Sequence, residues 1–214
     1  PVFRPDVQTY TSALSVARQA YAAARPRGLG DGILAPWTLQ GPGNIGARIN
    51  TIAIDPVDNN TIYIGYSGGG VWKTIDGGSN WKNISDKFFG STIGAVAVAP
   101  SDENVLYVGE GENTMRGNVS EGLGGMWRSD DGGRTWRNLG LKDARHIIRI
   151  VVHPRDPNTV WLAVMGHLFG PNEERGVYKT TDGGKTWKRT LFVNNQTGAS
   201  DLVIENGNPS VLYA

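Results

Sequence analysis

Two acidic stretches carry the side chains best suited to chemistry. They are Gly109-Glu-Gly-Glu-Asn113 and Gly166-His-Leu-Phe-Gly-Pro-Asn-Glu-Glu-Arg-Gly176. A pair of carboxyl groups held roughly 5–10 Å apart is what glycoside cleavage requires. The first stretch is not a phosphate loop, because it lacks the following helix and Lys and its carboxylates would repel phosphate. The residue types therefore leave two chemistries open, glycoside hydrolysis and the recognition of a polar partner.

Composition excludes several other kinds of site. The chain has no Cys and only three His, which are scattered without zinc-binding spacing, so no metal and no cofactor is predicted. Lys and Arg number 21 against 20 Asp and Glu, with no basic run, which argues against a nucleic-acid partner. No run of eighteen apolar residues occurs, so no membrane span is expected.

One short motif recurs three times and indicates how these stretches are positioned. It reads Thr74-Ile-Asp-Gly-Gly-Ser-Asn-Trp81, Ser129-Asp-Asp-Gly-Gly-Arg-Thr-Trp136 and Thr180-Thr-Asp-Gly-Gly-Lys-Thr-Trp187. The paired glycines suit a tight reversal, and a carboxylate there accepts hydrogen bonds from its own turn. Because three equivalent copies in successive units cannot converge on one site, the motif is interpreted as structural rather than catalytic. The residues assigned to it are Asp76, Asp131, Asp182, Trp81, Trp136 and Trp187.

Two apolar elements precede each motif and complete a repeat of about 50 residues. Copies of the first element are Ile52–Pro56, Val96–Pro100, Ile150–Pro154 and, as a fourth copy, Leu202–Glu205. Copies of the second element are Thr61–Ile64, Val105–Val108, Val160–Ala163 and Val211–Ala214. In the second unit the predicted strands are Gly94–Ala99, Val105–Gly109, Gly125–Ser129 and Thr135–Leu139. Four short antiparallel strands per repeat predict an all-β chain, a β-propeller whose blades bury one another's faces.

The predicted propeller is incomplete in this chain. Residues 1–36 are assigned to an N-terminal helix (Tyr10–Ala24) and a linker, and residues 37–214 to the partial propeller. Its blades span approximately 43–86, 87–141, 142–193 and 194–214, the last one incomplete, and Trp37–Gln40 is predicted to be an outer strand. Further blades are expected either from sequence beyond Ala214 or from another chain, because open sheet edges are normally avoided.

With these residues in view, the chain resembles the sortilin-like, BNR or Asp-box propeller family of exported bacterial proteins, often labelled glycosyl hydrolases. The resemblance runs from Trp37 to Ala214 and is densest at Gly41–Arg48, Ser67–Lys73, Gly109–Asn113, Gly166–Gly176 and Asn195–Leu202. It implies an extracytoplasmic location, in the periplasm, at the cell surface or secreted. It does not imply one reaction, because the family's biochemistry is poorly defined.

Two enzyme families that share the motif can be compared with this chain. Xyloglucanases of this architecture place a catalytic Asp at the position that Ser67 occupies here, and Ser cannot replace a carboxyl group. Sialidases carry an Arg-Ile-Pro segment, of which Arg48-Ile49-Asn50 is a partial counterpart. Neither signature is intact, so no catalytic residue is assigned and a non-enzymatic role is favoured. A xyloglucanase-like or sialidase-like hydrolase with further residues outside the chain stays as the alternative.

The loops that follow second and fourth strands should share one face, opposite the repeated motif, and two of them are long. The binding residues predicted on this face are Arg48, Glu110, Glu112, Asn113, Arg116, His146, His167, Glu173, Glu174 and Arg175. Their mixed charge favours a protein or glycan partner. An accessory subunit of a membrane-associated complex is also open, as a related photosystem assembly propeller suggests. For His167 and for Glu173–Arg175 the competing interpretations are a packing residue and a solvated, salt-bridged loop.

Overall fold

The computed structural model describes residue 16 and residues 48–89, 92–113 and 119–214. These residues form three four-stranded antiparallel meanders and a two-stranded sheet, which confirms the predicted all-β propeller fold. Blade 1 contains β1 (Ile49–Ile54), β2 (Ile62–Tyr66), β3 (Val71–Thr74) and β4 (Lys82–Asn83). Blade 2 contains β5 (Ile93–Ala99), β6 (Asp102–Glu110), β7 (Met126–Ser129) and β8 (Arg137–Asn138). Blade 3 contains β9 (Ile147–His153), β10 (Asp156–Val164), β11 (Gly176–Thr180) and β12 (Lys188–Leu191).

The two-stranded sheet, called sheet 4 here, contains β13 (Val203–Glu205) and β14 (Asn208–Tyr213). A 3₁₀ turn, Lys142–Ala144, joins blades 2 and 3. The predicted helix Tyr10–Ala24, apart from Val16, and the predicted outer strand Trp37–Gln40 lie outside the described residues.

Blade 2 buries both of its faces, one against blade 1 and the other against blade 3. Along β6, Leu106 belongs to an apolar cluster shared with blade 1, whereas the next residue, Tyr107, belongs to a cluster shared with blade 3. Both side chains are completely buried. Because successive residues of a strand point to opposite faces, a strand covered on both sides must be apolar without alternation. This explains the continuous apolar runs of the second strands.

The repeated turn between third and fourth strands is closed by its own side chains. Asp131 Oδ1 accepts hydrogen bonds from the Thr135 N–H at 2.8 Å and from the Ser129 hydroxyl at 2.8 Å. The Ser129 oxygen in turn accepts from the Gly133 N–H at 2.8 Å. Asp76 and Asp182 make the same bonds in the other copies. Since the motif's Thr and Trp belong to this turn, β8 is shorter than the predicted strand Thr135–Leu139.

The tryptophan that ends the repeated turn joins one blade to the preceding one. The indole N–H of Trp136 donates to the Ile84 carbonyl of blade 1 at 3.0 Å, and that of Trp187 donates to the Leu139 carbonyl of blade 2 at 3.1 Å. Trp81, in the first blade, instead donates to Gly78 of its own turn. The motif therefore encodes blade stacking as well as the turn.

Candidate functional site

The two faces of the blades are distinguished by which loops bond to one another. On one face the repeated turns meet the turns between first and second strands, through bonds from Gly77 to Asn60 and from Gly132 to Asn104. On the other face the loops after second strands meet the connections between blades, as in the bond from Met165 N–H to the His146 carbonyl at 2.9 Å. The predicted binding residues that the structure describes lie on this second face.

Glu110 holds the long loop of blade 2 in place. Its carboxylate accepts hydrogen bonds from the backbone N–H groups of Leu123 at 3.0 Å and Gly124 at 2.9 Å, and from the Trp127 indole N–H at 2.7 Å. The residue is only 2% exposed. A carboxylate with three donors in a buried setting orders the loop and offers little surface to a partner.

Glu112 links three segments that are far apart in sequence. Its buried carboxylate pairs with Arg48, which precedes β1, and accepts from the Ser120 N–H at 3.0 Å. Its carbonyl lies 3.0 Å from Nδ1 of His146, which precedes β9. His146 is completely buried, and burial lowers its pKa to about 4, so the imidazole is neutral at physiological pH. Glu112 thus joins blades 1, 2 and 3.

Arg175 and Asn172 fix the long loop of blade 3. The Arg175 guanidinium donates to the carbonyls of Met165 at 2.8 Å and Gly170 at 2.6 Å, and to that of His167. Asn172 accepts from the His167 N–H at 3.0 Å and donates to the Asp143 carbonyl at 2.7 Å. The side chains of both Arg175 and Asn172 are buried. The loop is therefore rigid and attached to the connection from blade 2.

Glu174 is a half-buried carboxyl group beside Asp143. Burial raises its pKa, and the Asp143 charge adds to that rise, while hydrogen bonds from the backbone N–H groups of Asp143 and Ala144 oppose it. These bonds place the Glu174 side chain on the 3₁₀ turn.

Asp143, Phe169 and Glu173 are exposed on this face, and together with the partly buried His167 they form what we call the rim surface. The Asp143 carboxylate lies 2.9 Å from Nε2 of His167, which gives an ion pair whenever the imidazole is protonated. Phe169 is 57% exposed, and Glu173 is exposed as well. Large exposed aromatic side chains on rigid loops are the usual anchors of protein interfaces.

A small polar pocket of about 240 Å³ lies where the first strands of blades 1, 2 and 3 come side by side. We call it the channel pocket. Asn113 enters it and donates to the Asn50 carbonyl at 3.0 Å, while Arg149 on β9 contributes a half-exposed guanidinium. Amide and guanidinium groups here can hydrogen-bond to a polar chain, such as a peptide backbone.

The structure therefore divides the predicted binding residues into two groups. Glu110, Glu112, His146 and Arg175 are buried and position loops; Arg48, Asn113, His167, Glu173 and Glu174 retain exposed surface. Arg116 lies outside the described residues. Sequence reasoning does not single out Asn50 or Arg149, because nothing in an inner strand marks a polar residue as facing the axis.

Two further properties bear on the kind of site this is. The described part of the chain holds no group of three or more His, Asp or Glu side chains arranged to bind a metal ion. No helix among the described residues is both long and apolar enough to cross a membrane.

Comparison with known proteins supports the fold. The chain is similar to an ancestral GH74 enzyme, with 21% identity and a TM-score of 0.60; the match covers 78% of this chain and 22% of that enzyme. It is similar to the Niastella koreensis GH74 enzyme, with 20% identity and a TM-score of 0.54; this match covers 75% of this chain and 25% of that enzyme. It is also similar to YCF48 bound to a D1 peptide (16%, 0.50), with 76% of this chain and 46% of that one covered. The class that these structures define is the β-propeller.

One curated protein is similar to part of this chain in amino-acid sequence. Over 64 residues the chain is 36% identical to vacuolar protein sorting/targeting protein 10 of Sordaria macrospora. The matched segment is 30% of this chain and 4% of the relative. No family model matches the chain. The chain spans less than half the length of each of these proteins.

Proposed function

We propose that the chain is a non-catalytic recognition propeller that binds a protein segment through the rim surface and the channel pocket. The observation that carries the proposal is the buried framework beneath the rim. Asn172 and Arg175 fix the loop backbone, so Phe169 and the Asp143–His167 pair are presented in one arrangement. A preorganised surface loses little conformational entropy on binding.

The chemistry of the rim favours a protein over a nucleic acid or a bare apolar surface. Asp143 and Glu173 are acidic, His167 is basic, Phe169 is apolar, and the neighbouring Arg189 lies 3.6 Å from Glu173. Such mixed charge around an aromatic anchor matches the composition of transient protein interfaces. YCF48, another protein of this fold, has been solved bound to a D1 peptide, so a propeller of this kind can carry a peptide partner.

As part of the same proposal, we place the chain among sortilin-like Asp-box propellers that work outside the cytoplasm, alone or as a subunit of a larger complex. The repeated turn and the 64-residue similarity to a vacuolar sorting protein support this assignment. The extracytoplasmic location depends on the sequence resemblance alone.

The proposal can be tested by selecting peptides from a display library on the immobilised chain, with a glycan array in parallel. A selected peptide should bind Phe169→Ala about tenfold more weakly, the loss expected for an interfacial aromatic anchor. Ile75→Ala is the matched control, because Ile75 is 71% exposed on the repeated turn of the other face. Equal loss in both variants, or binding of glycans with no peptide selected, would contradict the protein-binding proposal.

Hydrolysis of a glycoside is a second candidate, favoured by the raised pKa of Glu174 next to Asp143. A carboxyl group with a raised pKa beside a second carboxyl group is the arrangement of a general acid and its partner. The backbone bonds to Glu174 and the Ser at position 67 weigh against it. We expect no turnover of xyloglucan or sialosides; turnover abolished by Glu174→Gln and retained by Glu173→Gln would establish the enzyme instead.

A further inference from the structure

The connection from blade 2 to blade 3 contains a strained backbone turn. Among the described residues, only Leu141 and Arg145 combine a side chain with a positive φ, and both belong to this connection. Arg145 has φ +59° and ψ −41°, and the His146 N–H donates to the Ala144 carbonyl at 2.6 Å. This is the γ-turn with positive φ, which is rare and strained. Such a conformation persists only where the surrounding contacts impose it.

Those contacts come from the loops of the two blades that the connection joins. The Gly122 N–H, in the loop after β6, donates to the Arg145 carbonyl at 2.8 Å. The Met165 N–H, at the start of the loop after β10, donates to the His146 carbonyl at 2.9 Å. Gly111 also lies against the bend, since a Cβ there would stand 1.9 Å from the Arg145 carbonyl oxygen. The strained connection and the two loops therefore hold one another in place.

The side chain of His146 is completely buried at this junction. Its Nδ1 lies 3.0 Å from the Glu112 carbonyl oxygen, and because a carbonyl only accepts, Nδ1 carries the proton of the neutral ring. A second proton would therefore join Nε2. That atom is buried and makes no hydrogen bond within the described part of the chain. The carboxylate of Glu112 is paired with Arg48.

The charges that face the His146 ring also oppose a second proton. Arg145 on the connection, and His167 and Arg175 on the loop after β10, disfavour an imidazolium, whereas Glu121 on the loop after β6 favours it. Burial is the largest effect, and the pKa of His146 is lowered to about 4. Because a buried cation without an acceptor is costly, protonation favours an arrangement in which the ring reaches solvent.

We propose that His146 is an acid-sensitive latch: a proton taken up from solvent at Nε2 releases the strained connection from the loops after β6 and β10. The neutral ring holds the closed arrangement. The open arrangement relieves the γ-turn at Arg145 and hydrates the imidazolium. A change of charge at one group and a strained element that it holds are the two parts that a switch requires. Both blades that frame the latch are complete four-stranded sheets.

The latch acts on the rim surface, and this consequence rests on the proposed function. The loop after β10 carries His167 and Phe169, and Asn172 ties that loop to the Asp143 carbonyl of the same connection at 2.7 Å. Opening the connection therefore separates Asp143 from the rest of the rim. A protein segment bound there would be released in acid.

Hydrogen–deuterium exchange with mass spectrometry reads the latch without any partner, so its outcome is separate from that of the binding proposal. The reporter amides are Gly122 and Met165, compared at pH 7.5 and pH 4.5 with labelling times scaled to the intrinsic exchange rate. An exposed imidazole has a pKa of about 6.5, so the closed junction loses stability as the pH falls from about 6.5 toward 4. We expect the protection of the reporter amides to fall by more than about tenfold at pH 4.5.

The core of blade 2 is the internal reference for this measurement. Leu106 and Val108 are completely buried in β6 and should keep their protection at pH 4.5. The repeated turns also stay intact at this pH, because hydrogen bonds lower the pKa of Asp76 to about 2. Equal protection of the reporter amides at both pH values in the wild type would overturn the proposal.

Three variants assign the response to one group. In His146→Asn the amide can donate to the Glu112 carbonyl as Nδ1 does but does not titrate, so the acid response of the reporter amides should disappear. Glu174→Gln keeps an acceptor for the 3₁₀ turn and removes a neighbouring group whose pKa is raised by burial, and His153→Asn removes a partly exposed histidine of β9. Both should respond to acid like the wild type.

The outcomes separate His146 from Glu174. An acid response that persists in His146→Asn, or that Glu174→Gln abolishes, would show that another group opens the junction, and the proposed latch would be wrong. The wild type and Glu174→Gln decide the question even if His146→Asn does not fold.

Discussion

Replacing Trp136 by Ala should cost far more stability than the same change at Trp81, although both residues occupy the same position of the repeated turn. Trp136 is 7% exposed, stands edge-on to Phe89 with ring centroids 5.4 Å apart, and donates across the blade boundary to the Ile84 carbonyl. Trp81 is 36% exposed and donates within its own turn. The two positions therefore separate blade stacking from turn closure.

The size of the difference follows from burial. A Trp side chain buries at most about 250 Å², so the difference between the exposed fractions of Trp81 and Trp136 corresponds to about 70 Å² of buried surface. At ~25 cal/mol per Å², this area stabilises the fold by about 2 kcal/mol. The carbonyl of Ile84 left without its donor adds about 1 kcal/mol. We expect a loss of about 3–5 kcal/mol in the free energy of unfolding for Trp136→Ala and about 1–2 kcal/mol for Trp81→Ala.

Urea unfolding followed by far-UV circular dichroism measures both losses, with the slope of the transition checked for constancy. Trp187→Ala should resemble Trp136→Ala in direction, since Trp187 also donates to the preceding blade. Equal losses for Trp136→Ala and Trp81→Ala would refute the reasoning, because the motif would then stabilise only its own turn.

Three further variants test other parts of the structure. Gly133→Ala should lower the free energy of unfolding by more than about 1 kcal/mol, because φ is +88° at Gly133 and a Cβ there would meet a neighbouring blade. Gly68→Ala is the control: a Cβ at Gly68 would stand in open space, so this variant should be nearly neutral in the same urea assay. Hydrogen bonds from Asn80 and Thr74 lower the pKa of Asp76 to about 2, so the stability that its carboxylate contributes is complete above about pH 4 and is lost as the pH falls to 2. Asp76→Asn should therefore flatten that part of the pH–stability curve, and an unchanged curve would contradict the assignment. Arg48→Ala should cost more than about 2 kcal/mol, because it removes the Arg48 ion pair from the buried Glu112 carboxylate. Adding Glu112→Gln should recover part of the loss, and no recovery would mean that the pair does not account for the cost.

The fold could be predicted from the sequence because its determinants are local and repeated. The turn built on Asp131 needs a hydroxyl residue two positions earlier, glycines after it and a Thr or Asn four positions later, and all of these are visible in the sequence. Strand ends were less accurate: β6 begins at Asp102 rather than at Val105, since pairing with Ala99 extends it into the turn.

The candidate site could be predicted only in outline. Topology places Arg48 and His146 near one another, and the structure brings both to Glu112. What the sequence does not indicate is burial: Glu110 looks like an exposed loop acid, yet it accepts three hydrogen bonds from its loop and from Trp127. Such bonds depend on how the loop returns to its own blade, which no local pattern specifies.

The contacts between complete blades have a direction along the chain. The third strand reaches forward, as Lys73 does to the Gly132 carbonyl at 3.2 Å and Arg128 does to Asn158 at 2.8 Å in the next blade. The tryptophan of the turn reaches backward, as Trp187 does to Leu139. Each boundary between complete blades is therefore closed by contacts from both of its sides.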